Sequence, residues 1–104
     1  MPREDPKTGG EVLEKPREKT KRPALFKVLL LNDDYTTMEF VMLVLQKVFN
    51  KPEADAYRIM MQVHVKGSGV CGAYTYEIAE TKVETVHEMA RENGFPLRAA
   101  IEEA

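Results

Sequence analysis

The chain has 104 residues, 43% of them apolar, a net charge of −2 and a single cysteine. That length suffices for one domain with a modest core and is too short for two, and the longest apolar runs fall far short of a membrane span. Residues 1–24 carry seven Lys or Arg against five acids, leaving eight against twelve in the remainder, and a folded part near −4 argues against a phosphate-binding surface.

Neither a nucleic acid nor a membrane is therefore an expected partner. Cys71 alone cannot form an internal disulfide, and charges stand where a signal peptide would need a continuous apolar core. Both features point to a reducing compartment, the cytoplasm. Residues 1–22 are charge-dense and broken by Pro2, Pro6, Gly9, Gly10 and Pro16. Such a segment buries too little to offset its ordering entropy, so the expectation is a disordered tail over 1–22 and a folded core over 23–104.

From Leu25 to Leu31 the sequence turns β-like, with one charge at Lys27 and apolar side chains on both faces, as in a well-covered strand. This run ends in Asn32, Asp33 and Asp34. Thr36 and Glu39 then stand at capping-box spacing and predict the start of a helix over Met38 to Phe49. An Asn and two carboxylates at the mouth of such a turn can accept hydrogen bonds from a cation, although Asn-Asp-Asp is also ordinary turn chemistry. Met38, Val41, Leu45 and Val48 or Phe49 give the helix its apolar stripe.

Asn50-Lys51-Pro52 closes that helix. Pro52 as a first helical residue, with Glu53 and Asp55 behind it, predicts a second helix to about Val65. Its stripe is Ala56, Ile59, Met60 and Val63, with His64 one turn beyond Met60. Gly67-Ser68-Gly69 predicts a break, and the alternation of Val70, Tyr74, Tyr76 and Ile78 with smaller or polar residues predicts a strand over Val70 to Ala79. Thr81 and Glu84 repeat the capping-box spacing ahead of a third helix, striped by Val83, Val86, Met89 and Ala90 and closed by Asn93-Gly94. Leu97 to Ile101 predicts a short closing strand. The order β-α-α-β-α-β implies an α+β fold, a small sandwich with three helices on one side of a three-stranded antiparallel sheet.

A catalytic set of Asp33 or Asp34 with His64 lacks a nucleophile. Ser68 has no elbow motif, and Cys71 lies among packing residues. His64, Cys71 and His87 show no metal-ligand spacing, so no metal, no cofactor and no enzyme activity are expected. A recognition module fits better: Met60, Val63 and His64 share one helix face, Met38 and Val41 another, and if the two meet below Asn32 to Asp34 they form an apolar pocket rimmed by acceptors. The other open reading is a protein–protein interaction module of the same architecture, such as a ribosomal-stalk-like domain, without a pocket.

Three segments in order, Leu-Asn-Asp-Asp-Tyr-Thr-Thr-Met-Glu-Phe-Val from Leu31, Met-Met-Gln-Val-His from Met60 and Ala-Glu-Thr-Lys-Val from Ala79, closely resemble the ClpS family. Its members are bacterial adaptors that deliver N-end rule (N-degron) substrates to a Clp AAA+ unfoldase and its peptidase for proteolysis. The resemblance spans about Arg22 to Ile101 and departs at Thr37, where many members have Pro. It implies that Asn32, Asp34 and His64 hold the α-amino group of a substrate's first residue, with Asp33 and Thr36 adjoining. It further implies that Met38, Val41, Met60, Val63 and Leu97 receive a bulky side chain (Leu, Phe, Tyr or Trp). Glu77 and Lys82 match positions that dock on the N-terminal domain of a ClpA-type unfoldase. By the same resemblance the protein is a monomer without cofactors, and its tail is offered to the unfoldase pore.

Overall fold

The computed structural model describes residues 22–104. Apart from Arg22, the expected tail lies outside the described residues. The elements run β1 (Phe26–Leu31), α1 (Met38–Lys47), α2 (Glu53–Lys66), β2 (Ser68–Tyr74), α3 (Tyr76–Glu92) and β3 (Arg98–Glu103). The sheet has the order β2-β1-β3, antiparallel on both sides of β1. This is the α+β sandwich and the element order expected from the sequence. Among the described residues no helix is long and apolar enough to cross a membrane.

One core joins the layers. Val28 and Leu30 of β1, Val44 and Leu45 of α1, Val63 of α2 and Val86 of α3 are fully or almost fully buried in a single cluster. Each such side chain contributes roughly 1.5–3 kcal/mol by leaving water. The register places Leu31, the last residue of β1, opposite Ser68 on one side and Arg98 on the other. The end of the central strand is thus flanked by the beginnings of its two neighbours.

Local structure departs from the sequence expectations at several ends. The cap of α1 is Thr37, whose hydroxyl oxygen accepts the Phe40 N–H at 3.1 Å, and not Thr36. Thr36 is turned back toward Asp33, which leaves the cap to the next residue. The helix also stops two residues early, at Lys47, ahead of Asn50 in the left-handed region (φ 55°). Pro52 is the cap of α2, with extended ψ of 160°, rather than its first helical residue, and its carbonyl accepts from Ala56 at 2.9 Å.

Only Gly67 breaks the chain between α2 and β2. Its φ of 94° is the left-handed turn that ends α2, and any residue with a Cβ is strained there. Ser68 and Gly69 already belong to β2. A Cβ on Gly69 would stand 2.9 Å from Val63 Cγ2 and 3.3 Å from the Ile59 carbonyl oxygen, so this glycine lets α2 lie close on the strand.

The strand expected over Val70 to Ala79 ends at Tyr74, and α3 is already under way at Tyr76. The alternation of Tyr74, Tyr76 and Ile78 imitates a strand, but Ala79, Val83, Val86 and Ala90 form a helical stripe that extends back through this stretch. Thr81 is consequently inside the helix, its hydroxyl donating to the Glu77 carbonyl at 3.1 Å. In β2, Cys71 is buried, as its place among packing residues implies, while Val70 is 40% exposed. Val28 pairs with Gly72 and Leu29 with Val70, so Cys71 is an extra residue in the ladder, and the bulge reverses the alternation. The Asn93-Gly94 end of α3 is as expected, and β3 is shifted to Arg98–Glu103.

Candidate functional site

Two elements meet where β1 ends. The Asn32 N–H donates to the Gly67 carbonyl at 2.9 Å, and Gly67 itself closes α2 by donating to the Val63 carbonyl at 2.9 Å. Because His64 lies in the last turn of α2, this link sets it beside Asn32 at the mouth of one cavity.

The next two carboxylates have different tasks. Asp33 Oδ1 accepts the N–H groups of Tyr35 at 2.8 Å and Thr36 at 2.7 Å, and Oδ2 accepts the Thr36 hydroxyl at 2.7 Å. This is an Asx turn reinforced by a side-chain bond. Partial burial pushes the Asp33 carboxyl upward, but the bonds from Thr36 and Tyr35 outweigh it and hold the group below its ordinary value of 3.8. Asp34, by contrast, is exposed and makes no side-chain hydrogen bond to another described residue, and the same is true of the Asn32 and His64 side chains. The strand ends at Leu31, so it is the turn, and not strand alternation, that distinguishes the two acids.

Asn32, Asp33, Asp34, Thr36 and His64 form the polar rim of a cavity of about 250 Å³. Its apolar wall is made by Met38 and Val41 of α1 with Met60 and Val63 of α2. Val41, Met60 and Val63 are at most 7% exposed, whereas Met38, at the start of α1, is 44% exposed. Nine of the ten residues assigned to this site from sequence are therefore brought together. Leu97 does not line the cavity: it is 3% exposed and borders a separate concavity with Phe95, Pro96 and Arg98.

Glu77 and Lys82 lie on α3 and not at a strand end and a helix start. Glu77 is exposed in the first turn. Lys82 borders a larger concavity of about 430 Å³ with Val48, Ile78, Thr85 and Met89. Its Nζ donates to the Val48 carbonyl at 2.7 Å and stands 5.5 Å from the Tyr74 ring centroid and 6.0 Å from that of Phe49. Nothing in the local sequence signals this contact, since Lys82 and Val48 are 34 residues apart. Cys71, 1% exposed, has its thiol pushed up to about 12 by burial and remains protonated at neutral pH.

The family model of the ATP-dependent Clp protease adaptor protein ClpS matches residues 21–100. The chain is 62% identical over 93 residues to the ATP-dependent Clp protease adapter protein ClpS of Desulfatibacillum aliphaticivorans, covering 89% of each chain. It is 54% identical over 99 residues to that of Rhodospirillum centenum, covering 95% of this chain and 90% of the other. Among solved structures, Agrobacterium tumefaciens ClpS2 bound to L-phenylalaninamide superposes with a TM-score of 0.77 at 46% identity, over 80% of this chain and all of that one.

Proposed function

Because this chain belongs to the ClpS family of adaptors for the ATP-dependent Clp protease, we propose that its cavity recognises the first residue of an N-degron substrate, reading a free α-amino group and a bulky side chain together. The observation that carries this reading is the division of the cavity into an acceptor rim and an apolar wall. An α-amino group has an ordinary pKa of about 7.7 to 8.0, so near neutrality it is largely cationic and offers three donors. Asn32 Oδ1, the Asp34 carboxylate and a neutral His64 ring nitrogen supply three acceptors, while Asp33 and Thr36 hold the turn that presents them.

The side chain of Leu, Phe, Tyr or Trp enters between Met38, Val41, Met60 and Val63. Burying Leu or Phe contributes roughly 1.5–3 kcal/mol, and each hydrogen bond to the cation about the same. Neither half alone gives tight binding, which makes the site selective for the pair. The ClpS2 structure with L-phenylalaninamide supports the reading, because that ligand combines a primary amine with a benzyl side chain. Glu77 and the surface around Lys82 dock on the N-terminal domain of a ClpA-type unfoldase. The protein acts as a cytoplasmic, non-catalytic monomer, and residues 1–22 are presented to the unfoldase during delivery.

Fluorescence anisotropy with a short peptide bearing N-terminal Phe, against its acetylated twin, tests the reading. Acetylation should lower affinity at least tenfold, the equivalent of one charge-assisted hydrogen bond. Equal affinities would leave a plain interaction module without amino-terminal recognition.

A further inference from the structure

The candidate site makes no direct use of His87. This residue lies on α3, half-buried, where the helix packs along β3. Among the described residues, strand β3 is at the sheet edge and pairs with β1 on one side only. The Ala104 N–H donates to the Leu25 carbonyl at 3.1 Å, and the register runs on from there through Glu102 with Lys27. In an antiparallel ladder the even-numbered residues of β3 therefore turn their amides toward β1, and the odd-numbered ones turn theirs away. The outward amide of Ala99, a residue only 6% exposed, donates to His87 Nε2 at 3.0 Å. A backbone N–H can only donate, so Nε2 must hold a lone pair and the ring is neutral, with its proton on Nδ1.

A second anchor lies four residues upstream, where the Phe95 N–H donates to the Ala90 carbonyl at 2.8 Å. Pro96 has no amide hydrogen. Leu97, buried in the core, and Arg98, paired with Leu31, are thus strung between two attachments to α3. Leu31 directly precedes Asn32.

We propose that His87 is a positioning residue for the cavity: by accepting the Ala99 amide it holds the start of β3 against the end of β1, and so fixes the segment that leads into the acceptor rim. The role rests on the reading of the cavity given above. Glu84, Glu88 and Arg91 of α3 and Arg98 at the start of β3 line the concavities around the imidazole. A side chain that offered a donor in place of the Nε2 lone pair would meet the Ala99 donor, and the anchor would be lost.

The test combines amide hydrogen exchange by NMR with peptide affinity in the full-length protein. In the wild type the Ala99 amide, held by His87 Nε2 at 3.0 Å, should be protected. The variant H87Q places an amide oxygen where Nε2 lies, and should keep both the protection and the affinity for an N-terminal Phe peptide. H87N is one bond too short to reach, and should lose the protection together with about three- to tenfold in affinity, the effect of one hydrogen bond. Protection of Ala99 retained in H87N would overturn the proposal, as would its loss with affinity unchanged within about twofold. If the wild type fails to distinguish free from acetylated peptides, the recognition reading fails separately. Exchange at Leu31 and Asn32 then decides the present one, with acceleration in H87N supporting it and unchanged rates overturning it.

Discussion

Two concavities on this domain handle their polar groups in opposite ways. At the end of β1, Asn32, Asp34 and His64 stand around an apolar wall with their side chains unengaged by other described residues. In the concavity at the end of α1, Lys82 is already tied to the Val48 carbonyl and lies near two aromatic rings. A small ligand with fixed donors needs acceptors that are placed but not occupied, since every internal bond broken on binding would subtract from affinity. A protein partner instead needs a stable shape, and here a cation fastens the end of a helix while Tyr76 and Ile78, about half exposed, offer apolar surface nearby. Lys82 is thus part of the fold before it is part of any interface.

Neighbouring carboxylates sharpen the contrast most. Asp34→Ala should cost roughly 1.5–3 kcal/mol in affinity for an N-terminal Phe peptide, the value of a hydrogen bond to a charged group, with the melting temperature unchanged. Asp33→Ala should lower both affinity and stability, because it releases two amides and a hydroxyl of the turn. Anisotropy with thermal melts separates the two, and a drop in melting temperature for Asp34→Ala would show that Asp34 also serves the fold.

Met38 comes next in size. It lines the cavity from the first turn of α1, beside the acceptor rim, and an unbranched thioether can lie against a Cβ with one heavy substituent but competes with a second. Peptides beginning with Ile or Val should therefore be rejected on shape. Met38→Ala should improve their affinity by roughly 1–3 kcal/mol while weakening Leu through the enlarged cavity. A uniform loss across Leu, Phe, Ile and Val peptides would instead mean that Met38 only supports the helix.

At the other concavity, Lys82→Ala should lower stability by about 1–2 kcal/mol, less than a fully buried charge-assisted bond because the side chain is partly exposed. For a domain of this size that is a fall of several degrees, at about 4 to 8 °C per kcal/mol. Peptide affinity should not change. Glu77→Ala, altering an exposed residue, should leave the melt alone and reduce only degradation of substrate by the Clp protease. Equal melting temperatures for Lys82→Ala and the wild type would remove the fastening role.

Much of the site was legible because strand, turn and helix start are consecutive in the chain. Strand-forming residues up to Leu31 and two threonines ahead of an apolar stripe constrain the Asn-Asp-Asp group between them to the mouth of a turn. The spacing of Met60, Val63 and His64 fixes their shared face without tertiary information. What escaped were choices between equivalent local partners and contacts between distant residues. Thr36 and Thr37 can each cap α1, and the decision falls to Asp33, which captures Thr36. The bulge at Cys71 depends on the partner strand, and the end of β2 and the start of α3 were masked by a short alternation that two periods both satisfy. Lys82 with Val48, and His87 with Ala99, exist only once the layers have packed.

The smallest expected effect concerns the charge on Asp33. Its carboxyl is held below 3.8 in the folded protein, because three hydrogen bonds favour the ionised form more than burial disfavours it. A group whose folded value is depressed adds stability that is fully present above its unfolded value and is lost as the pH falls through the folded one. The contribution should accordingly be constant from neutrality to about pH 5 and decline progressively as the pH falls below about 4 and on through the lower folded value. Asp33→Asn isolates it, since the amide oxygen can still accept from Tyr35 and Thr36 while the charge is gone. At about pH 7 the variant should be less stable by no more than about 1 kcal/mol, and on acidification its urea midpoint should fall less than that of the wild type. Asp34→Asn, which removes a charge outside the turn's hydrogen bonds, should follow the wild-type acid dependence. If the Asp33→Asn and wild-type midpoints instead fall in parallel, the turn is held by the geometry of the oxygen alone, and the two neighbouring acids differ in position but not in what their charge does.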